Sequence, residues 1–577
     1  MTLERGKGAD RLLPLAIAVG LFLLRVWRHP WAVAVEGSDL IVPIQLFAHP
    51  EWLVGHPLRE AMTTTLSPLQ WIWARGWALF DWPEGIAETL RLALLCGLAV
   101  GGVWTVAQAL FKNRRVSLLA VILLIGGGAG ALGMGFAWKI GVYHAWHFVA
   151  FSCGLWILAA LLRGRWEWAA AGLGLFFSIH PTHAVILCGL AAPLLLWAPN
   201  RPTGARRLRC AAWFLLALLP AVIYFLPRWQ IYASAGLDPE TWWALMRIRK
   251  NHHLFPFSWG GYLWGGLLAY AAAGGWVRHR MERSEEQRLR DRGAGLLAAG
   301  AGVLCAAGVF FSEIRPVVLL AKLTLLRASD YLLLLLSLYL CASVESALSD
   351  PAPVRRWSGI ALAIGLLFLD YAIRWTLPLV FLSAAFLAGR SWRLPEGTGG
   401  RFAAVVRTGL LGLAACNIFV QALPPLFAAN PRLQLRLASE NADWKETQDW
   451  ARENSRPDAV FLNPPDWSGF EVFSRRTPAI SWQDLGRSIY SSQTARSEID
   501  HYLRYHLGPE PLPWRREAFW GLAEQYRSLS DAELLRLGER FGADYAILPA
   551  AAAPHPTLKP VHQNRHFTVY RLHGGTG

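Results

Sequence analysis

A chain of 577 residues that is 54% hydrophobic and 17% charged falls well short of the ~25% charged residues of soluble domains, which excludes an ordinary soluble enzyme. Its formal charge of +16 would suit a nucleic-acid ligand, but the arginines lie mostly in short loops between apolar blocks. They read as membrane-topology signals, and no nucleic-acid partner is expected.

The apolar residues come in blocks of about 20, the length that crosses ~30 Å of hydrocarbon at 1.5 Å per residue. Many of the 30 tryptophans stand at block ends (Trp27, Trp31, Trp82, Trp166, Trp197, Trp357), where amphipathic rings favour the membrane–water boundary. The seven cysteines all fall in or beside apolar blocks. None shows metal spacing, and a disulfide framework is not expected.

The first block, near 11–27, is followed by acidic and aromatic residues without a small-residue cleavage site, so it reads as a retained anchor. Next comes a polar loop, 28–88, that carries Glu36 and Asp39 three residues apart, then His49, Glu51 and His56. Asp39 runs straight into the apolar stretch Leu40 to Leu46. A partly dry carboxylate there suits a general base, and the pair also suits a hard divalent ion, Mg or Mn. A solvated acidic loop is the plainer alternative.

Twelve further apolar blocks follow, near 89–111, 116–137, 142–162, 166–179, 184–199, 210–227, 259–277, 293–311, 328–347, 358–370, 375–389 and 402–424. Alternate loops are basic: Arg5 to Arg11, Lys112 to Arg115, Arg163 and Arg165, Arg201 to Arg209, Arg278 to Arg292, Arg355 and Arg356, and Arg390 to Arg407. Thirteen crossings with a cytoplasmic N-terminus place all of these loops in the cytoplasm. Two pairs of short blocks, 166–199 and 358–389, must then be hairpins. Their tips are His180-Pro181-Thr182-His183 and Asp370, Tyr371 and Arg374, and polar tips at membrane depth require a protein or aqueous surround.

By this topology one outer face gathers most of the remaining polar residues. His144 and His147 read as boundary anchors or hydrogen-bonding groups. His180 and His183, at a helix break, line a polar cavity or merely cap helix ends. Arg247, Arg249, Lys250, His252 and His253 stand on the side where basic loops are disfavoured, as do Arg315, Lys322 and Arg327. Binding a phosphate is the simplest reason for them. Asp330, three residues after Arg327, can also neutralise that arginine directly.

From about Asn430 the composition becomes that of a soluble α/β module. A helix is expected at Glu440–Asn454, strands at Ala459–Asn463 and Ala479–Trp482, and a helix at Leu529–Phe541 opened by Ser530 and Asp531. A strand at Ala543–Leu548 and a hairpin over Val561–Leu572 would close it. This module has no Gly-rich phosphate loop, nucleophile elbow or HExxH motif. The expected fold is therefore an all-α polytopic membrane domain of about 13 transmembrane helices over 1–429, followed by a small extracytoplasmic α/β domain over 430–577.

This architecture resembles the GT-C superfamily of membrane glycosyltransferases, and more closely an uncharacterised bacterial family of GT-C-like membrane proteins. The matching stretches are Gly37-Ser38-Asp39-Leu-Ile-Val-Pro43, His180-Pro181, His252-His253-Leu-Phe-Pro256 and Arg315 to Arg327. In the tail they are Pro457-Asp-Ala-Val-Phe-Leu-Asn-Pro-Pro465 and Phe541-Gly-Ala-Asp-Tyr545. The chain departs from better-known members in lacking an adjacent Asp-Asp or Asp-Glu pair in the first loop and a WWD-type motif in the tail.

The resemblance implies transfer of a sugar from a polyprenyl-phosphate donor to an extracytoplasmic glycan, lipid or protein acceptor, in a bacterial inner membrane. Asp39 would act as base with Glu36 assisting. Arg247, Arg249, Arg315 or Arg327 would stabilise the phosphate leaving group, and His180, His183, His252 and His253 would join them in binding substrate. Two other classes compete. Broken helix pairs also serve transporters, and a GT-C-like body without activity would be a scaffold using its tail to bind proteins.

Overall fold

The computed structural model describes residues 5–28, 38–54, 56, 59, 66–80, 84–127, 146–228, 238–249, 254–369, 373–394, 400–421, 438–465, 467, 469–479, 516–550, 552 and 554–572. They are mostly helical, with one small sheet near the C-terminus. The chain divides into two compact units, each built from three segments. The first holds Met1–Arg28, Thr89–Val222 and His252–Ala422; the second holds His29–Glu88, Ile223–Asn251 and Leu423–Gly577.

In the first unit the described residues of each apolar block lie largely on a helix. Among the described residues five helices are long and apolar enough to cross a membrane: Thr89–Phe111, Ala205–Arg228, Glu285–Ile314, Val318–Leu348 and Arg401–Ile418. Shorter apolar helices include Leu12–Leu24, Phe148–Leu162, Pro181–Trp197 and Arg374–Ala388. The chain is a membrane protein. Its central helix is Ala328–Leu348, whose Leu-rich sequence is apolar on all sides and therefore suits burial on all sides. The span containing it is 89% buried, against 6% for Ala205–Arg228 at the rim.

Both expected hairpins fold back on themselves. The Trp166 indole donates to the Asn200 carbonyl at 2.8 Å, joining the start of Trp166–Ile179 to the end of Pro181–Trp197. The Ser346 hydroxyl donates to the Arg393 carbonyl at 3.0 Å, so the chain returns after Pro353–Leu367 and Ile373–Ala388. The second tip, with Asp370 and Tyr371, lies outside the described residues.

Several of the basic loops meet at one end of this unit. Lys112 pairs with Glu286, Arg115 and Arg407 both reach Glu345 (3.6 and 2.8 Å), and Arg278 and Arg283 hold Asp291 (3.0 and 3.2 Å). Arg163 donates to the Thr105 carbonyl at 3.2 Å. The buried acids Glu345 and Asp291 are thus each matched by two guanidinium groups, which a buried charge requires. Glu345 and Arg327 sit at opposite ends of the central helix, roughly 30 Å apart at 1.5 Å per residue. The far end contains Arg327, the His180–His183 tip and Glu313, whose carboxylate accepts from the Phe257 amide at 2.9 Å.

In the second unit the sheet has the order β2-β1-β3-β5-β4, with β1 Val460–Leu462, β2 Thr477–Pro478, β3 Tyr545–Pro549, β4 Lys559–Gln563 and β5 Phe567–Arg571. β1 pairs parallel with β2 and β3, whereas β5 pairs antiparallel with β3 and β4. Alternation along β3 divides the core: Tyr545 and Ile547 join an aromatic layer with Trp444, Phe461 and Phe567, while Ala546 and Leu548 join a leucine layer with Leu522, Leu534 and Leu537. Ala438–Asn454 covers one face, and Arg516–Arg527 and Asp531–Phe541 the other. Ser530 and Glu533 close a capping box at the start of the last helix, and the Ser530 amide and hydroxyl hold the Glu533 carboxyl below its usual range.

One strand needs correction. Ala479–Trp482 was expected as a strand, but the pairing residues are Thr477 and Pro478, with Ala479 a bend donating to the Phe461 carbonyl at 2.7 Å. Apolar content marked the stretch but could not fix its register. Ile480 to Trp482 lie outside the described residues.

Candidate functional site

The break between Trp166–Ile179 and Pro181–Trp197 brings together several polar side chains at the end of the helical unit opposite those ion pairs. Proline has no amide hydrogen and pushes the preceding residue out of helical conformation. His180 is accordingly extended (φ −157°, ψ 97°), and Pro181 occupies the first position of the next helix, where the missing amide is harmless. The Thr182 hydroxyl lies 3.0 Å from His180 Nδ1. The rings of His180 and His183 meet edge-on at 4.8 Å, and His183 and Thr182 are buried.

A second helix start comes to the same place. After Val309 the long helix Glu285–Val309 widens into a π turn, Phe310–Ile314, and the chain leaves at Arg315. It then passes through Val318–Ala321 and a left-handed Thr324 (φ 49°, ψ 46°) before Leu325–Arg327 leads into Ala328–Leu348. Arg327, Ser329, Asp330 and Tyr331 are all buried. His183 faces Tyr331 with ring centres 6.4 Å apart, and His180 lies within reach of the Arg327 charge. The phenol oxygen of Tyr331 is so near Gly154 that a Cβ there would approach within 2.5 Å.

Several polar atoms in this cluster have no hydrogen-bond partner among the described residues: the Tyr331 and Thr324 hydroxyls and the Nε of Arg327. Buried polar groups are normally satisfied, and ionisable groups at membrane depth mark functional sites by default. Two helix N-termini, each carrying partial positive charge, one guanidinium and two imidazoles meet here, with Asp330 offsetting part of the charge. Such a set can hold an oxyanion through charge-assisted hydrogen bonds in a low-dielectric surround.

The remaining described candidates divide between the two units. Arg315 is exposed at the same end of the helical unit, just beyond the π turn. Arg247 is exposed on Pro239–Arg249 in the second unit, and that helix ends at Arg249. Asp39 stands in the first turn of Ser38–Ala48, also in the second unit. Glu36, His144, Lys250, His252 and His253 lie outside the described residues. No three His, Cys, Asp or Glu side chains come together as a metal site among the described residues. Tyr331, Thr324 and the π turn escaped the sequence reading. A tyrosine beside a leucine run reads as core, and neither a left-handed threonine nor a π turn has a composition signature.

The fold and this cluster define an integral-membrane helical protein with an α/β module at its C-terminal end. Residues 442–496, which span most of Ala438–Asn454 together with β1 and β2, match a family described as Domain of unknown function (DUF6798). No curated protein matches the chain.

Proposed function

We propose that the chain is a GT-C-type membrane glycosyltransferase. In this reading thirteen crossings leave the C-terminal module outside a bacterial inner membrane, and a sugar passes from a polyprenyl-phosphate donor to an extracytoplasmic acceptor. Support comes chiefly from one observation: half-buried His180 and buried His183, Arg327, Asp330 and Tyr331 collect at the end of the helical unit away from its basic loops. Arg327 and the two helix starts would bind the donor phosphate and stabilise the charge that develops as it leaves. Asp39 would take the proton from the attacking hydroxyl, with inversion at the anomeric carbon, and Glu36 would assist directly or by sharing a divalent ion.

The reading is tested in nanodiscs by binding of undecaprenyl phosphate and transfer from its glycosylated form. Arg327→Gln should weaken phosphate binding about ten- to a hundredfold, the worth of one charge-assisted contact, with Arg206→Gln at the basic end as control. Asp39→Asn should lower turnover 10²–10⁴-fold, the usual contribution of a general base, while leaving phosphate binding intact. Equal losses at Arg327 and Arg206 would reveal only bulk attraction to anionic lipid. Uptake of a solute into vesicles without any product would favour a carrier, since buried ionisable groups at a broken helix pair also suit that class.

A further inference from the structure

The helix bearing Asp39 is tied to a segment more than 420 residues later in the chain, within one compact unit. Val42, Leu46 and Leu53 form a buried apolar cluster with Val472 and Phe473, and Trp52 packs on its edge. The Gln45 side-chain amide donates to the Val472 carbonyl at 3.2 Å. The Thr477 hydroxyl donates to the Val54 carbonyl at 3.2 Å. His56 and Glu471, both buried, approach to 4.0 Å. The Arg475 guanidinium lies 3.9 Å above the Trp52 ring, and Trp52 also stacks in parallel on His49 at 4.0 Å.

Two residues at this contact hold backbones that L-residues avoid: Leu53 (φ 50°) and Arg475 (φ 55°). Arg475 closes the short helix Phe470–Ser474 in the left-handed position, where glycine is strongly preferred. An arginine there carries a backbone penalty that glycine would not. Its guanidinium on Trp52 gives a reason for the side chain to be present.

We propose that Glu471 and Arg475 are positioning residues: segment 470–477 clamps Ser38–Ala48 and the turn after it, and thereby fixes the helix that carries Asp39. The clamp is an observation about this unit alone; its importance for turnover rests on the glycosyltransferase reading above.

The discriminating variant is Arg475→Gly, because it removes the stack on Trp52 while relieving the backbone. Full-length protein in nanodiscs is followed by hydrogen exchange and by transfer kinetics, with Glu471→Gln alongside. The clamp predicts exchange about tenfold faster over residues 42–54 in Arg475→Gly, with β3 amides (545–549) unchanged or slower. Turnover should fall while the donor KM holds. Arg475→Lys, which keeps a cation over the ring, should restore protection in part. Unchanged exchange over 42–54, or faster exchange over 42–54 and 545–549 alike, overturns the clamp. Faster exchange over 42–54 with normal turnover overturns the positioning role. A wild type that transfers no sugar refutes the glycosyltransferase reading, and exchange alone then decides the clamp.

Discussion

Tyr331 is wholly buried, yet its hydroxyl has no hydrogen-bond partner among the described residues. Leaving a buried polar group unmatched costs about 1–3 kcal/mol, so Tyr331→Phe should raise the melting temperature of the ligand-free protein. If the hydroxyl is held for a phosphate ligand, the same change should weaken polyprenyl-phosphate binding by roughly tenfold, one neutral hydrogen bond's worth. A stabilised variant with unchanged binding would remove Tyr331 from the site. Other members of the cluster were legible in the sequence. His180 and His183 flank a proline that must break a helix, and Arg327 and Asp330 are charges where only apolar residues cross cheaply. The buried pair His56 and Glu471 was not legible as a pair. Glu471 does stand between apolar neighbours, Phe470 and Val472, which is the signal that an acid is headed for an interior partner.

Apolar block length carried most of the helical fold, because a block of about 20 apolar residues has few alternatives to a helix in hydrocarbon. What it could not carry was how closely two helices approach. Gly174 is one such place: a Cβ there would lie 2.2 Å from the Phe214 carbonyl and 3.0 Å from the Ala217 methyl. Trp166–Ile179 and Ala205–Phe225 are therefore in near backbone contact, the geometry small residues allow between membrane helices. Gly174→Ala should force them apart and destabilise the protein by about 1–3 kcal/mol, as overpacking does. Gly409→Ala, with nothing within 4 Å, should be neutral or stabilising by up to about 1 kcal/mol, the usual helix preference for alanine. Thermal melts of the two variants in one detergent make the comparison, and equal melting would deny the close approach. In the α/β module the period-2 alternation of β3 was readable, whereas the β2 register was not, since it depends on which short segment wins the edge of β1.

The sequence places alternate basic loops together, and the ion pairs from Lys112 to Glu286 and from Arg115 and Arg407 to Glu345 gather several of them at one end of the helical unit. The proposed topology puts that end in the cytoplasm. In a background without the native cysteines, Ser284→Cys should then resist an impermeant thiol reagent in spheroplasts, while Ser530→Cys should label. Reversal of either result would remove the thirteen-crossing arrangement. The partnership of Gln45 with Val472 has a different consequence, one of timing during synthesis. A ribosome adding about 5–20 residues per second needs roughly 20–85 s to cover the 427 positions between them. Throughout that interval the helix Ser38–Ala48 has left the ribosome without the surface that buries Val42 and Leu46. Any chaperone that guards this protein is needed first at its beginning and can be released only near its end.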